Sequence, residues 1–338
     1  MKAVNLEAPY TIGLKDIPEP KRKAGEALLK IKSAGICGSD IGAYRGTNTL
    51  VSYPRIIGHE LAGEIVEIDD NPRGLKTGDK VIVDPYLYCG TCYPCSIGRT
   101  NCCENLKVLG VHVDGGMAEY ITHPATMLVK VPDSLPWELI PMAEPLTIAL
   151  HAIHRTKLTA GEHVAINGAG AIGLLIAQGA LAYGAIPILI DMVEERLDFA
   201  RSLGVQHTIQ LNKQDLLSTL KTITNGRMAE VVVEASGANS AIRNTLDMVS
   251  FAGRIALTGW PKNQTELPTD IITRKEIDIR GSRTSVGEFE EALNLMVTSR
   301  VDARKILSKV VSLLEIPDMV REQSEFPGKY LKINALIG

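Results

Sequence analysis

The amino-acid sequence predicts an α/β protein with two domains, one β-rich and one built on a doubly wound parallel sheet. The length of 338 residues is more than a single domain of common size holds. Before about residue 150, short apolar runs alternate with polar residues, as in half-buried strands. Beyond it, short apolar runs alternate with helical segments, a pattern that favours parallel strands covered by helices on both faces.

Composition narrows the class of function. The chain is 45% hydrophobic and 22% charged, which allows a sizeable core and excludes a disordered tail. A net charge of −3 disfavours nucleic-acid binding, because a phosphate backbone attracts clustered basic residues. Met1 to Leu14 has no apolar run as long as that of a signal peptide, so we expect a cytoplasmic protein without a membrane or nucleic-acid partner.

The first domain is expected to combine residues 1–150 with residues 300–338. Ala27 to Lys32 alternates between apolar and polar side chains, and Gly78 to Val83 is typical of a turn followed by a strand. The alternation returns at Leu331 to Ala335, so we expect this late segment to rejoin the first domain.

The second domain is expected to span residues 151–299. The stretch from Val164 to Ile190 has no charged side chain, and hydropathy alone would suggest a membrane span. Its five glycines and Pro187 favour a strand, a turn, a buried helix and a second strand instead. A helix at Glu194–Leu203 is predicted next, and the further strands are Glu230–Val233, Arg254–Leu257 and Ile277–Ile279.

A glycine-rich turn follows the first strand of this domain. The segment Gly168-Ala169-Gly170-Ala171-Ile172-Gly173 is a G-x-G-x-x-G between a predicted strand and a predicted helix, the context that makes this motif specific. Gly168 permits the tight turn, Gly170 lets the backbone approach a pyrophosphate at the helix N-terminus, and Gly173 lets the helix pack closely on the strand. The whole segment, including Ala171 and Ile172, predicts a dinucleotide site.

An acidic residue, Asp191, ends the next predicted strand. Its carboxylate can accept hydrogen bonds from both hydroxyls of the adenosine ribose, and its charge would repel a 2′-phosphate. NAD is therefore favoured over NADP as the cofactor. Arg196 is a candidate to pack against the adenine. The alternative, which is about as well supported, is that Arg196 is a solvent-exposed residue of the helix without a ligand.

Six cysteines occur, and four of them form the pattern C-x2-C-x2-C-x7-C. These are Cys89, Cys92, Cys95 and Cys103. Four thiolates on one short segment suit a closed tetrahedral zinc site, and disulfides are disfavoured in a cytosolic chain. Cys102 could replace Cys103 as the fourth ligand, but the spacing favours Cys103.

A second set of metal-binding side chains is scattered along the chain. Cys37 lies in Gly35-Ile36-Cys37-Gly38-Ser39-Asp40, His59 and Glu60 lie side by side, and Glu144 lies far downstream. One thiolate, one imidazole and carboxylates can hold a catalytic zinc with an open position. No spacing rule unites them, and on spacing alone a lone cysteine such as Cys37 is more often a small buried residue.

At these motifs the chain resembles the zinc-containing medium-chain dehydrogenases/reductases, over essentially its whole length. Segments at 52–55, 98–103 and 111–116 are most similar to the polyol and sugar-acid branch, in particular to bacterial L-galactonate and L-gulonate 5-dehydrogenases and the starvation-sensing protein RspB. The resemblance implies a GroES-like catalytic domain, a Rossmann domain, and a homodimer or homotetramer.

The resemblance also implies roles for the scattered residues. Cys37 and His59 would ligate the catalytic zinc, and Glu60 and Glu144 would ligate it directly or through its water, in an order that stays open. Ser39 would take the first proton from the substrate alcohol. Many relatives have a histidine five residues after the ligand cysteine, where this chain has Gly42, so the proton route beyond Ser39 is open.

The expected activity is NAD-dependent oxidation of a secondary alcohol of a sugar acid, at C5 of an L-gulonate or L-galactonate type of substrate. Arg45 and Arg283 are candidates to bind the substrate carboxylate, although a role as a surface or interface arginine is favoured for each. His112 is a weaker candidate, and His151 and His154 are expected to be structural.

Three alternatives stay in view. A neutral polyol such as sorbitol or xylitol could be the substrate. A non-catalytic NAD-binding sensor could retain the fold, although four retained candidate zinc ligands disfavour it. A zinc-ribbon nucleic-acid binder is disfavoured by the acidic charge balance.

Overall fold

The computed structural model describes all residues from Met1 to Gly338 and divides into two compact units. The first unit comprises Met1–Glu144, Phe289–Val297 and Ala303–Gly338, and the second unit comprises Pro145–Glu288 and Thr298–Asp302. The chain passes from the first unit to the second inside a helix that begins at Ala143.

The elements of the first part of the chain are mostly short strands. The strands are β1 (Lys2–Ala8), β2 (Thr11–Asp16), β3 (Glu26–Ile36), β4 (Arg55–Ile56), β5 (Glu60–Glu67), β6 (Lys80–Val83), β7 (Tyr86–Leu87), β8 (Lys107–Val108), β9 (Tyr120–Pro124) and β10 (Leu128–Lys130). The helices are α1 (Gly38–Tyr44) and α2 (Tyr93–Ser96), with 3-10 turns at Thr100–Cys102, Ala125–Met127 and Ile140–Met142.

Helices and strands alternate in the second part. They are α3 (Ala143–Thr156), β11 (His163–Asn167), α4 (Ala171–Ala182), β12 (Ile186–Asp191), α5 (Glu194–Ser202), β13 (His207–Gln210), α6 (Leu216–Ile223), β14 (Ala229–Glu234), α7 (Asn239–Met248), β15 (Val249–Leu257), α8 (Thr269–Lys275) and β16 (Asp278–Gly281). The remainder is α9 (Phe289–Val297), α10 (Ala303–Ile306), β17 (Leu307–Ser312), a 3-10 turn at Leu313–Glu315, α11 (Ile316–Glu325) and β18 (Lys332–Leu336).

The main sheet of the first unit runs in the order β10-β6-β5-β3-β18-β17, and β9 also pairs with β3. Strand β3 alternates between half-buried and buried residues, and its apolar face packs into a core with residues such as Leu29 and Ile31. In the register of the sheet, Gly35 of β3 lies opposite Glu60 of β5 on one side and Asn334 of β18 on the other. Three strands distant in sequence therefore bring polar side chains to one place.

The second unit contains one parallel sheet in the order β13-β12-β11-β14-β15-β16, as predicted for a doubly wound fold. Strand β11 is buried throughout, as expected for an inner strand covered on both faces. The strand order reverses at β11, between β12 and β14, and ligands of such sheets bind beyond the carboxyl ends of the strands at this position. The edge strand β13 was not predicted, because its sequence His-Thr-Ile-Gln has no apolar run.

The uncharged stretch from Val164 to Ile190 folds as predicted into a strand, a turn, a helix and a second strand. None of the helices combines enough length with enough apolar character to cross a bilayer.

Candidate metal and dinucleotide sites

The glycine-rich turn leads from β11 into the N-terminus of α4. Gly168 has a φ of +100°, which lies in the left-handed region that favours glycine. A Cβ atom on Gly173 would overlap the carbonyl oxygen of Gly168, so only glycine allows this close packing of the helix on the turn. At Gly170 a Cβ atom would meet nothing within 4 Å, and the backbone there is open to a ligand. The N-terminal N–H groups of α4, from Ala171 and Ile172 onward, are suited to bind phosphate.

Asp191 is placed at the carboxyl end of β12, beside this turn. Its Oδ2 atom accepts a hydrogen bond from the backbone N–H of Ala169 at 2.7 Å, and its Oδ1 atom accepts one from Val193 at 2.9 Å. The guanidinium of Arg196 lies 3.8 Å from the same carboxylate. The structure thus brings the predicted glycines, Asp191 and Arg196 together at one edge of the parallel sheet.

The four cysteines of the C-x2-C-x2-C-x7-C pattern form one cluster. Their Sγ atoms all lie within 4.8 Å of one another, and Cys102 is outside the group. The Sγ atom of Cys92 lies 3.4 Å from that of Cys95 and 3.8 Å from that of Cys103. This grouping of four sulfur atoms matches the ligand set of a closed structural zinc site.

The electrostatics of this cluster favour bound cations. The backbone and hydroxyl of Thr91 lower the pKa of Cys89 to about 5, whereas burial and the neighbouring Cys92 raise the pKa of Cys95 to about 12. Cys89 and Cys95 would therefore ionise unequally on their own. A bound divalent cation would allow all four thiols to ionise, because it stabilises every thiolate that ligates it.

The scattered residues of the first unit also come together. Cys37 precedes α1, and Glu60 opens β5 directly after His59. One ligand atom from each of these three residues lies within 4.8 Å of the others, and His59 and Glu60 are buried. The Oγ atom of Ser39 lies 3.4 Å from Nε2 of His59, so the predicted proton acceptor is next to this group.

Two atoms of this group fit a metal ion. Nδ1 of His59 and Oε2 of Glu60 are buried and have no hydrogen-bond partner. A soft thiolate, an imidazole and a carboxylate are together the ligand types of a catalytic zinc, and three protein ligands leave a position open. The residues present therefore fit zinc at this place.

Asp40 is a site residue that sequence analysis did not select. It is buried, its Oδ2 atom accepts a hydrogen bond from the N–H of Cys37 at 2.9 Å, and its Oδ1 atom lies 4.0 Å from Nδ1 of His59. Burial raises the pKa of Asp40, and the charge of His59 partly opposes this effect. The signal in the sequence is its position three residues after Cys37, where an acidic residue caps a helix.

Lys332 of β18 is a second residue that sequence analysis missed. Its ammonium group contacts Oε1 of Glu60, and both side chains are buried. Burial alone lowers the pKa of Lys332, but the charges of Glu60 and Cys37 outweigh it and the pKa is raised. No local motif marks Lys332, because strand pairing brings it to the site.

Glu144, at the start of α3, is not within the three-residue group of possible metal ligands. The hydroxyl of Tyr86 donates a hydrogen bond to Oε1 of Glu144, and both side chains are buried. Burial raises the pKa of both groups, and the neighbouring carboxylate raises that of Tyr86 further. Tyr86 was also missed by sequence analysis.

The predicted substrate-binding arginines lie in different surroundings. Arg45 donates from Nε to Oγ of Ser324 at 3.0 Å and also contacts the Ser324 carbonyl oxygen, so its guanidinium is occupied by α11. Arg283 is exposed and follows β16. Nδ1 of His112 accepts a hydrogen bond from the N–H of Val108 at 3.1 Å.

His151 and His154 lie on α3 and share the carboxylate of Glu288, at 2.7 and 3.2 Å from their Nδ1 atoms. Nε2 of His154 also lies 2.9 Å from the hydroxyl of Tyr183. Hydrogen bonds from the histidines lower the pKa of Glu288 to about 2, although burial opposes this. These contacts agree with the structural role that we expected for the two histidines.

Two family models match the chain. Residues 23–133 match the "Alcohol dehydrogenase GroES-like domain", and residues 171–298 match the "Zinc-binding dehydrogenase" family. Because the two models together contain both parts of the predicted architecture, the predicted fold class is confirmed.

Relatives cover nearly the whole chain. An uncharacterized zinc-type alcohol dehydrogenase-like protein of Haemophilus influenzae is 58% identical over 337 residues, covering 99% of this chain and 98% of the relative. Sorbitol dehydrogenase of Bacillus subtilis is 34% identical, covering 98% and 96%. L-galactonate-5-dehydrogenase of Escherichia coli is 35% identical over 295 residues, covering 87% and 86%.

Solved structures agree with this assignment. The structure of an alcohol dehydrogenase (rspB) from Escherichia coli CFT073, complexed with NADH, is 32% identical, covers 99% of both chains and has a TM-score of 0.93. The predicted cofactors, zinc and a nicotinamide dinucleotide, agree with these findings, and the family supports an oxidoreductase. The chain belongs to the zinc-type alcohol dehydrogenases of the medium-chain dehydrogenase/reductase family.

Proposed function

We propose that this protein is an NAD-dependent zinc dehydrogenase that oxidises a secondary hydroxyl of a sugar acid to a ketone. The observation that carries the proposal is the buried group of Cys37, His59 and Glu60, whose possible ligand atoms lie within 4.8 Å of one another. Oε2 of Glu60 is buried without a hydrogen-bond partner, which costs free energy. A metal ion bound to this oxygen would offset that cost.

Two zinc ions are assigned to the chain. Cys37, His59 and Glu60 would hold the catalytic ion, and Glu144, which interacts electrostatically with His59 and Glu60, would serve through a water molecule. The four cysteines at positions 89, 92, 95 and 103 would hold the structural ion. When bound, the catalytic zinc supplies Lewis acidity, which lowers the pKa of a substrate hydroxyl.

The residues around the ion have separate tasks. Ser39, 3.4 Å from the ring of His59, would accept the proton of the substrate hydroxyl. Asp40, 4.0 Å from Nδ1 of His59, would orient this ring, and it accepts the N–H of Cys37. NAD would accept the hydride, with its pyrophosphate on the turn from Gly168 to Gly173 and its adenosine ribose on Asp191.

The proposed substrate class is supported by the relatives and by candidate arginines. The resemblance to L-galactonate-5-dehydrogenase, whose substrate carries a carboxylate, favours a sugar acid. Arg45, whose guanidinium contacts Ser324, and Arg283 are the two candidates to bind that carboxylate. A neutral polyol is the second candidate, favoured by the similarity to sorbitol dehydrogenase over almost the full length.

We further propose that the enzyme works in the cytoplasm as a homodimer or homotetramer. All six cysteines are free thiols, as in proteins from a reducing compartment. Size-exclusion chromatography with light scattering measures the assembly directly, and a monomer under all conditions would overturn that part of the proposal.

The test is a substrate screen with metal analysis. Purified protein is assayed at the nicotinamide absorbance with NAD or NADP and matched pairs of aldonic acids and alditols. We expect about two zinc ions per chain, turnover with NAD, and preference for an acid. Cys37→Ala should abolish turnover but not NAD binding, whereas Cys102→Ala, as a matched control, should retain activity. Full activity of the Cys37→Ala protein would refute the proposal.

A preference for alditols would instead favour the polyol alternative. The Arg283→Ala variant tests whether the guanidinium of Arg283 binds the substrate carboxylate. If the KM for a sugar acid rises tenfold or more while the KM for its alditol is unchanged, Arg283 binds the carboxylate. An unchanged preference would remove Arg283 from the site.

A further inference from the structure

The four-cysteine segment is attached to the first unit by a short stem. Strand β7 precedes Cys89, strand β8 follows Cys103, and the two strands pair antiparallel, with Tyr86 opposite Val108 and Leu87 opposite Lys107. We call residues 89–106 the cysteine lobe. The lobe therefore enters and leaves through the same two-stranded stem.

Apart from Leu106 at its end, the lobe buries no apolar side chain other than that of Cys103. Helix α2 contributes no buried residue, and Tyr93 and Ile97 are exposed. Sγ of Cys103 accepts hydrogen bonds from the N–H groups of Cys89 and Asn105, each at 3.3 Å. With so little apolar burial, a bound metal is the main source of order in the lobe.

The stem determines where the side chain of Tyr86 lies. The N–H of Tyr86 donates to Oδ1 of Asp84 at 3.1 Å, and the adjacent Pro85 carbonyl accepts from Leu109 at 3.1 Å. The ring of Tyr86 is only 5% exposed, and its hydroxyl donates to Oε1 of Glu144. One residue of the stem is thus in direct contact with the carboxylate beside the catalytic group.

We propose that Tyr86 is a positioning residue through which the metal-filled cysteine lobe holds Glu144 in place next to the catalytic metal. The phenol orients the carboxylate of Glu144 toward itself, so Glu60 would be the carboxylate that is available to ligate the metal. Loss of metal from the lobe loosens the stem, moves Tyr86 and releases Glu144. This inference rests on the proposed function, because both the lobe and the catalytic group must bind metal.

The test is a double-mutant cycle with two readouts. Tyr86→Phe removes the hydrogen bond, Cys95→Ser weakens the lobe site, and the third protein carries both changes. One readout is kcat and KM, measured separately. The other is the rate at which the metal at Cys37 is released to a chromophoric chelator, and the phase that is lost in Cys37→Ala identifies that metal. Tyr88→Phe is the matched control, because Tyr88 belongs to the same segment and is 43% exposed.

We expect each single variant to lower kcat about tenfold with less than a threefold change in KM, and to change the release rate of the metal at Cys37. If the lobe acts through Tyr86, the kcat of the double variant equals that of the less active single variant. Tyr88→Phe should match the unmodified protein. Effects that multiply in the double variant, or an unchanged release rate in Tyr86→Phe, would overturn the inference.

Two further measurements allow the inference to be tested even if the Cys95→Ser protein does not fold. If near-UV circular dichroism shows that Cys95→Ser does not fold, a chelator is used to remove the lobe metal from the unmodified and the Tyr86→Phe proteins. Activity should then fall in the first protein and remain at its already reduced level in the second. Absence of metal from both sites would defeat the proposed function as well, whereas two bound metals with independent effects would defeat only the role of Tyr86.

Discussion

The ammonium group of Lys332 contacts the carboxylate of Glu60 across an intervening strand, and both side chains are almost fully buried. Strand β3 lies between the two strands that carry these residues, and its residue at this position is Gly35. A Cβ atom on Gly35 would overlap Oε2 of Glu60. The pair therefore depends on a glycine, and the Glu60 carboxylate has a buried countercharge.

Lys332→Met is expected to destabilise the metal-free protein by about 3 kcal/mol, because it leaves the Glu60 carboxylate buried without a partner. Zinc should recover part of this loss, since it supplies a new positive charge next to Glu60. The measurement is urea unfolding of metal-free and zinc-loaded protein. Lys332→Arg, which keeps the charge, should lose much less. Equal stability of Lys332→Met and the unmodified protein would show that the pair contributes nothing.

Gly35→Ala is expected to displace the Glu60 carboxylate and to speed zinc release from the Cys37 group at least tenfold. The reason is steric, because the added methyl group occupies the position of Oε2. Gly13→Ala is the matched control, since a Cβ atom there would meet nothing within 4 Å. Zinc release to a chelator is followed in both proteins. Identical release rates would mean that Glu60 does not hold the metal.

Gly173→Ala is expected to weaken NADH binding at least tenfold. The new Cβ atom would overlap the carbonyl oxygen of Gly168 and push α4 away from the turn. Gly281→Ala, in the same unit and with open space around it, should bind NADH normally. Titration of NADH fluorescence measures both affinities. Normal binding by Gly173→Ala would exclude the turn as the pyrophosphate site.

His123 is expected to make the first unit sensitive to acid. Burial lowers the pKa of His123 from 6.5 to about 4, and its Nε2 atom lies 2.8 Å from the carbonyl oxygen of Asp84. Above pH 6.5 the histidine is neutral in the folded and in the unfolded protein, so it does not reduce the free energy of unfolding. As the pH falls from 6.5 to 4, only the unfolded chain takes up the proton, which lowers the free energy of unfolding by roughly 3 kcal/mol.

Urea unfolding between pH 7.5 and pH 4 measures this loss. His123→Gln retains a donor for the Asp84 carbonyl but cannot titrate, so its stability should fall less over the same range. Parallel curves for the two proteins would assign the acid sensitivity to other groups, such as Glu288.

Local motifs in the sequence predicted the parts of the sites that local backbone geometry determines. The glycine turn and the four-cysteine pattern are each contained in one short segment, so spacing alone indicates their chemistry. The parallel sheet followed from alternating strands and helices. Cys37, His59 and Glu60 were grouped only through the resemblance to a known family, because no spacing rule links residues on separate elements.

Lys332, Tyr86 and Asp40 were not predicted, and each shows a different limit of sequence analysis. Lys332 is 272 positions from Glu60 in the sequence, and it reaches Glu60 because β18 and β5 both pair with β3. Tyr86 is placed by a two-residue strand, which is too short to show a periodic pattern. Asp40 resembles an ordinary helix cap, and only its distance from His59 reveals a second contact.

Strand β18 has a consequence for the order in which the protein matures during translation. It lies inside the main sheet of the first unit, between β3 and β17, although it follows β3 by about 300 positions in the sequence. A nascent chain that has grown to Glu288 can already close its parallel sheet, but it still lacks the strand that carries Lys332. The parallel-sheet unit can therefore fold first, and Glu60 has no countercharge until the ribosome has added Lys332.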